Sequence, residues 1–428
     1  IATSGWQTAV ALLALATALT AQQAPTFYKD VLPILQQHCQ TCHRPGEIGP
    51  MPLVTYAQAK PFAHKIVQRT AARDMPPWFA DPAVGHWAND PSLSSAELHT
   101  LAAWAAAGAP AGNPRQAPPP PHWATGWNIS PPDRVIPMPQ PVAIPARGPI
   151  EYTYEIVPTG FTTGRWVQMA ELHPSSPAHV HHAVVYVRPP GATWLRGAPV
   201  GRPFTASEMV GHPATSAALW TDSEILLVYA PGSAPDRWPA SLGKYIPAGS
   251  DLVFQMHYTA NGHPAHDQTR LGLVFNPQPP AQRVLTLQLT NDRFVIPPGV
   301  PNYRVEVHGT LPGPATLLSF FPHMHLRGKR FDYNLVTPNG AITPLLRVRY
   351  NFHWQRSYVL ATPLPLPAGA ELQAVGWFDN SAGNPHNPDP TVAVHWGDQT
   401  SDEMMVGFFD LAVPASMDKW QYFAQRRH

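Results

Sequence analysis

The stretch His179-Val180-His181-His182-Ala183-Val184-Val185-Tyr186-Val187 decides how the larger part of this chain is read. Its second half is apolar and rich in valine, a β-branched residue that suits a pleated sheet better than a helix. Similar short runs lie on both sides of it, separated by Pro, Gly and Asn turns: Glu151–Val157, Ile225–Tyr229, Leu252–Tyr258, Val284–Leu289, Leu317–Phe321, Leu372–Phe378 and Met404–Leu411. Many short strands at close spacing predict antiparallel sandwiches or barrels. The span exceeds one sandwich of ~100 residues. Two all-β domains are therefore expected, 131–280 and 281–413, divided at Pro277-Gln278-Pro279-Pro280.

Upstream the pattern changes. Residues 26–112 read as a small all-α domain. Asp30 is placed to cap a helix through Val31, Leu32, Ile34 and Leu35. A second helical region covers Tyr56 to Arg73, interrupted near Pro61. A third begins at the capping box Ser94-Ser95-Ala96-Glu97 and buries Leu98, Leu101, Ala102 and Ala105 at helical spacing. Pro118-Pro119-Pro120-Pro121 then marks a semi-rigid linker, 113–130. The apolar run Ala9–Leu19 followed by small residues reads as a signal peptide, 1–21, too short for the ~20 residues of a membrane span. The expected location is therefore exported, periplasmic or extracellular, with no transmembrane segment after cleavage. The tail 414–428 carries no motif.

Composition narrows the function. The chain has 428 residues, and only 13% are charged, against a usual ~25%. Its formal net charge is +1, which gives no support to nucleic-acid binding. There are 54 prolines and 21 histidines but only two cysteines, so a disulfide scaffold is excluded.

Those two cysteines form Cys39-Gln40-Thr41-Cys42-His43, the C-x-x-C-H pattern in which two thiols bond the vinyl groups of a haem and the histidine ligates its iron. A thioredoxin-like dithiol needs a βαβ setting, and a zinc half-site needs a second thiol pair. The segment resembles a class I cytochrome c domain carrying covalent haem c. Met75, in Arg73-Asp74-Met75-Pro76-Pro77-Trp78, is the best candidate for the sixth ligand, with core filling as its alternative. Met51 is close to His43 in sequence, and His64 is a weaker competitor.

The β region holds three histidine sites: His179 to His182, Gln255-Met256-His257-Tyr258, and Phe321-Pro322-His323-Met324-His325. Residues i and i+2 of a strand share a face, so His323 and His325 can grip one metal. Imidazole suits Cu, Zn, Fe or Ni, and a thioether adds a preference for Cu(I).

In the order and content of these motifs the region resembles the copper type II, ascorbate-dependent monooxygenases, represented by peptidylglycine α-hydroxylating monooxygenase and dopamine β-monooxygenase. The resemblance covers about Ile150–Leu411. It implies two jelly-roll-like domains and two copper ions. One copper, for electron transfer, would be held by His181, His182 and His257. The other, where O2 reacts, would be held by His323, His325 and the Met404 of Ser401-Asp402-Glu403-Met404. His323, His325 and Met404 are the expected catalytic set. Strand alternation alone would pair His179 with His181, so His179 stays in reserve and the family's pair needs a bulge or different ring nitrogens. Met405 is the alternative thioether.

Peptidylglycine-type members carry an Arg where this chain has Phe321, and Asn and Tyr where it has Val406 and Phe408. The carboxylate clamp is missing, which points to an uncharged or apolar substrate. The expected function is hydroxylation of a C–H bond of an unknown small molecule with O2. Electrons would come from ascorbate, another external reductant or a redox-protein donor, relayed by the fused haem, whose attachment raises its effective concentration. A non-catalytic electron-transfer or copper-binding protein is the competing class.

Overall fold

The computed structural model describes residues 24–123, 126–205, 207–209, 223–397 and 399–419. The expected signal peptide, 1–21, and tail residues 420–428 lie outside them. Among the described residues, no helix is long and apolar enough to cross a membrane.

The N-terminal unit is helical: α1 (Leu32–His38), α2 (Tyr56–Ala59), α3 (Ala63–Ala71) and α4 (Ser95–Ala106). Pro61 falls in a tight turn, Lys60–Phe62, that separates α2 from α3. Both α2 and α4 start with capping boxes, Thr55 with Gln58 and Ser94 with Glu97. Asp30 works differently from the expectation. A helical turn, Phe27–Val31, precedes α1, and Asp30 closes that turn by accepting from the Thr26 amide at 2.7 Å. The faces of these helices share one core of Phe27, Leu35, Leu53, Ile66, Leu101 and Trp104.

Beyond residue 131 the structure is β. All eight apolar runs fall in or largely overlap strands. In the first β unit, a sheet of Arg134–Pro137, Arg270–Phe275, Arg165–His173 and Leu242–Ile246 packs on a sheet ordered Phe204–Thr205, Thr153–Pro158, Asp251–Tyr258, Val180–Arg188, Glu224–Tyr229. In the second, Gln282–Thr290, Val406–Pro414, Ala315–His323 and Tyr358–Leu366 pack on Tyr303–Thr310, Glu371–Phe378, Gly328–Val336 and Ile342–Arg349. Each unit encloses its own apolar core, the arrangement that two facing sheets demand.

Two devices join the units. A short parallel ladder pairs Gln282 and Arg283 with Leu242 and Gly243. A shared apolar cluster takes Ile156, Val184, Tyr186 and Val253 from one side and Phe321, Met404, Val406 and Phe408 from the other.

The helical unit is docked as well as tethered. Residues 78–89, within the expected 26–112 domain, leave the helices and lie along the second β unit. Trp78 and Phe79 enter its core, and Trp78 packs against Tyr358 at 4.7 Å between ring centroids. The Asp81 and Ala88 amides donate to the Arg347 and Val359 carbonyls, both 2.8 Å. The segment thereby covers two edge strands whose unpaired amides would otherwise be open to other chains. The proline-rich linker is anchored too, with the Arg44 guanidinium 4.2 Å from the Trp123 ring.

Candidate metal centre

Three strands of the first and second β units deliver five histidines to one place. His181 and His182 lie on the Val180–Arg188 strand, His257 on its neighbour Asp251–Tyr258, and His323 at the end of Ala315–His323 with His325 just beyond. The ladder between the first two strands pairs His257 with His182 and Tyr258 with Val180, which leaves His181 as an extra residue. That bulge lets two adjacent histidines face one point, which regular alternation forbids.

The His181, His182 and His257 rings stand 4.9 to 5.3 Å apart between centroids. One nitrogen from each lies within 4.8 Å of the others. The Nδ1 atoms of His181 and His182 are 3.0 Å apart. His181 Nε2 and His257 Nδ1 are buried with no hydrogen-bond partner among the described residues. Buried orphan nitrogens are costly in an apolar site unless a ligand satisfies them, so this set fits a metal ion. Burial, then repulsion from neighbouring imidazoles, depresses their proton affinity: His181 falls to about 4, and His182 and His257 fall well below the usual value. All three are neutral near pH 7, the form that ligates. Tyr152 backs them, stacked on His257 at 4.6 Å with its hydroxyl 3.4 Å from His182 Nε2.

His179 is not part of this set. Its Nδ1 meets the Ser176 hydroxyl at 2.8 Å and its Nε2 the His263 carbonyl at 3.2 Å, so both nitrogens are engaged. Gln255 is also occupied: its amide donates to the Tyr154 hydroxyl and accepts from Tyr186.

His323 and His325 are 5.3 Å apart with perpendicular rings. His323 donates from Nδ1 to Gln355 Oε1 at 2.7 Å, and His325 Nδ1 faces the Asp402 carbonyl at 3.3 Å. The Nε2 atoms are then the ones that would serve a metal, and His325 Nε2 is buried without a partner among the described residues. Burial pushes the two imidazoles down to about 4 and about 3. His323 lies only 6.0 Å from His182 between centroids, so the two sets adjoin.

Met404 and Met405 separate cleanly. His323 pairs with Val406 across the ladder, and residues opposite each other share a face. Met404 joins Val406 and Phe321 in the cluster between the units, whereas Met405 joins Met324 in the core of the second unit. Glu403 explains the rest of that motif. Fully buried, it accepts from the His325 amide at 2.9 Å and the Arg327 amide at 2.5 Å.

The C-x-x-C-H residues lie at the end of α1 and line a cavity of about 790 Å³, within the ~300–1,000 Å³ usual for ligand sites. Cys39 and Cys42 are both free thiols. His43 turns Nδ1 to the Met51 carbonyl at 3.0 Å, which leaves Nε2 as the ligating nitrogen. Gly49 has to be glycine here, since a Cβ would come within 2.7 Å of His43 Nδ1. Met75 lines the same cavity, and His64 is exposed and does not. The donor set and the apolar walls Ile48, Leu53, Phe62 and Ile66 fit a haem. His181 belongs to the wall as well, so the thiol cavity reaches the histidine triad.

At this site, sequence reasoning missed the loop 351–356. Phe352 stacks on His181 at 5.1 Å, Gln355 holds His323, His353 and Trp354 line the cavity, and Arg356 approaches Cys42. Its only signal was aromatic and polar density between two strands.

No family model and no curated protein matches the sequence. Among solved structures, those of infectious bursal disease virus are returned. The Gt strain is 10% identical over 71% of this chain and 80% of that one, with a TM-score of 0.15. The Gx strain is 9% identical over 68% and 72%, with a TM-score of 0.16. Likeness at that level carries no argument.

Proposed function

We propose that this chain is a haem- and copper-carrying oxidoreductase related to the copper type II monooxygenases, and that it hydroxylates a C–H bond of an uncharged or apolar small molecule with O2. The carrying observation is convergence: His181-His182, His257 and His323-Met324-His325, far apart in sequence, meet in one buried cluster. The resemblance requires that His181 and His182 meet His257, and that His323 meets His325.

In this reading His181, His182 and His257 hold one copper, and His323, His325 and Met404 hold the other. Bound copper supplies one-electron redox chemistry and activation of O2. Around it, Gln355 and the Asp402 carbonyl fix the His323 and His325 rings, and Phe352 stacks on the triad's His181. Phe321, Val406 and Phe408 pack with Met404 in one apolar cluster, which suits an uncharged or apolar substrate.

The helical unit, 26–112, is read as a cytochrome c domain. Cys39 and Cys42 would hold the haem covalently, with His43 and Met75 as axial ligands. Its docking beside His181 supports a relay of electrons from ascorbate, another reductant or a redox partner. An exported location follows from the reading of residues 1–21.

A second reading, electron transfer without substrate turnover, is favoured by one observation. The large cavity is lined by His181 but not by His323, His325 or Met404. Oxygen-uptake assays separate the two. Reductant-dependent uptake with a hydroxylated product supports the monooxygenase, and copper–haem redox cycling without uptake supports the alternative.

A further inference from the structure

Arg356 is a buried cation, 9% exposed, contributed by the second β unit. Its Nη1 donates to the Pro231 carbonyl at 2.9 Å. Among the described residues it has no carboxylate partner, while Arg347 and Arg349 nearby pair with Asp81 and Asp74. A buried guanidinium that remains unpaired is uncommon.

The Pro231-Gly232 turn brings this charge to the C-x-x-C-H motif. A Cβ on Gly232 would sit 2.9 Å from Cys42 Sγ and 3.2 Å from Arg356 Nη1, so the thiol and the guanidinium touch the same point. Gly232 also has a φ of +74°, which favours glycine independently. The other charges beside Cys42 are Arg44 and Glu47. They pair with each other at 2.6 Å and largely cancel. Arg356 is left as the net charge facing the motif across the dock.

We propose that Arg356 is a positioning residue that sets the redox potential of a haem bonded through Cys42, its fixed charge favouring the reduced state. The inference rests on the haem reading of the cavity. A cation near a redox centre stabilises the form that has gained an electron, more strongly where water is excluded. Because the charge comes from the β unit, the potential would depend on the dock being closed.

Spectroelectrochemical titration of the full-length protein tests this, with one electron per haem taken from an external reductant. Arg356→Gln should move the midpoint to lower potential, and Arg356→Lys should retain the wild-type value. In Arg356→His, whose charge is switched by pH within one fold, the midpoint should drop relative to wild type as pH rises through the imidazole titration. A folded Arg356→Gln variant with an unmoved midpoint overturns the inference. If that variant does not fold, an Arg356→His midpoint that tracks wild type at every pH overturns it. Wild-type protein without covalent haem absorption overturns the haem reading and this inference with it.

Discussion

Gln355 Oε1 lies 2.7 Å from His323 Nδ1, and the same short loop carries the Phe352 that stacks on His181. One connection between two strands therefore supports both histidine sets. Partners that orient a ligand's second nitrogen commonly change metal affinity 10–100-fold. Gln355→Leu should weaken copper binding at the His323 site by about that factor, read by competition with a Cu(I) chelator. Wild-type affinity in that variant would mean Gln355 does not orient a ligand.

Glu403 is the buried clasp between the His-x-His segment and the Met404 loop. Glu403→Ala strands the His325 and Arg327 amides, at about 1–3 kcal/mol for each buried donor. The thermal midpoint should fall and one copper should be lost. A variant of unchanged stability would show that water replaces the carboxylate without cost.

For Met75, replacement by histidine should keep the haem covalently attached but lower its reduction potential, since thioether ligation raises it. His64→Ala should leave the potential unchanged, because His64 is exposed and away from the cavity. An unmoved potential in Met75→His would assign the sixth position to another residue.

Much of this was legible in the sequence, for physical reasons. The valine-rich runs announced their strands because buried strands cannot avoid apolar content. Tyr358–Leu366 was missed since Pro363 and Pro365 disguise it, and prolines are tolerated there only because the strand is at a sheet edge. The bulge at His181 was legible only as a conflict between strand alternation and the motif. The dock of residues 78–89 and the loop 351–356 have no periodicity, so contacts more than 250 positions away, such as Asp81 to Arg347, left no local trace.

Glu155 offers a test of the first β core. It is fully buried, Oε2 has no hydrogen-bond partner among the described residues, and burial raises its carboxyl from 4.5 to about 7. A folded-state value above the unfolded one means the protonated form favours folding. This contribution is intact below about pH 4.5 and is lost as pH rises to about 7, at a cost on the order of 3 kcal/mol. Glu155→Gln should abolish that part of the pH dependence in denaturant titrations at pH 5 and pH 8. Parallel pH profiles for the two proteins would refute it.

The most direct measurement is metal and haem analysis of the purified chain, alone and with His257→Ala. The expected result is one covalently bound haem and two copper ions per wild-type chain, with one copper lost in the variant and the haem retained. Protein that binds no copper, or whose copper content does not respond to His257, would contradict the central claim.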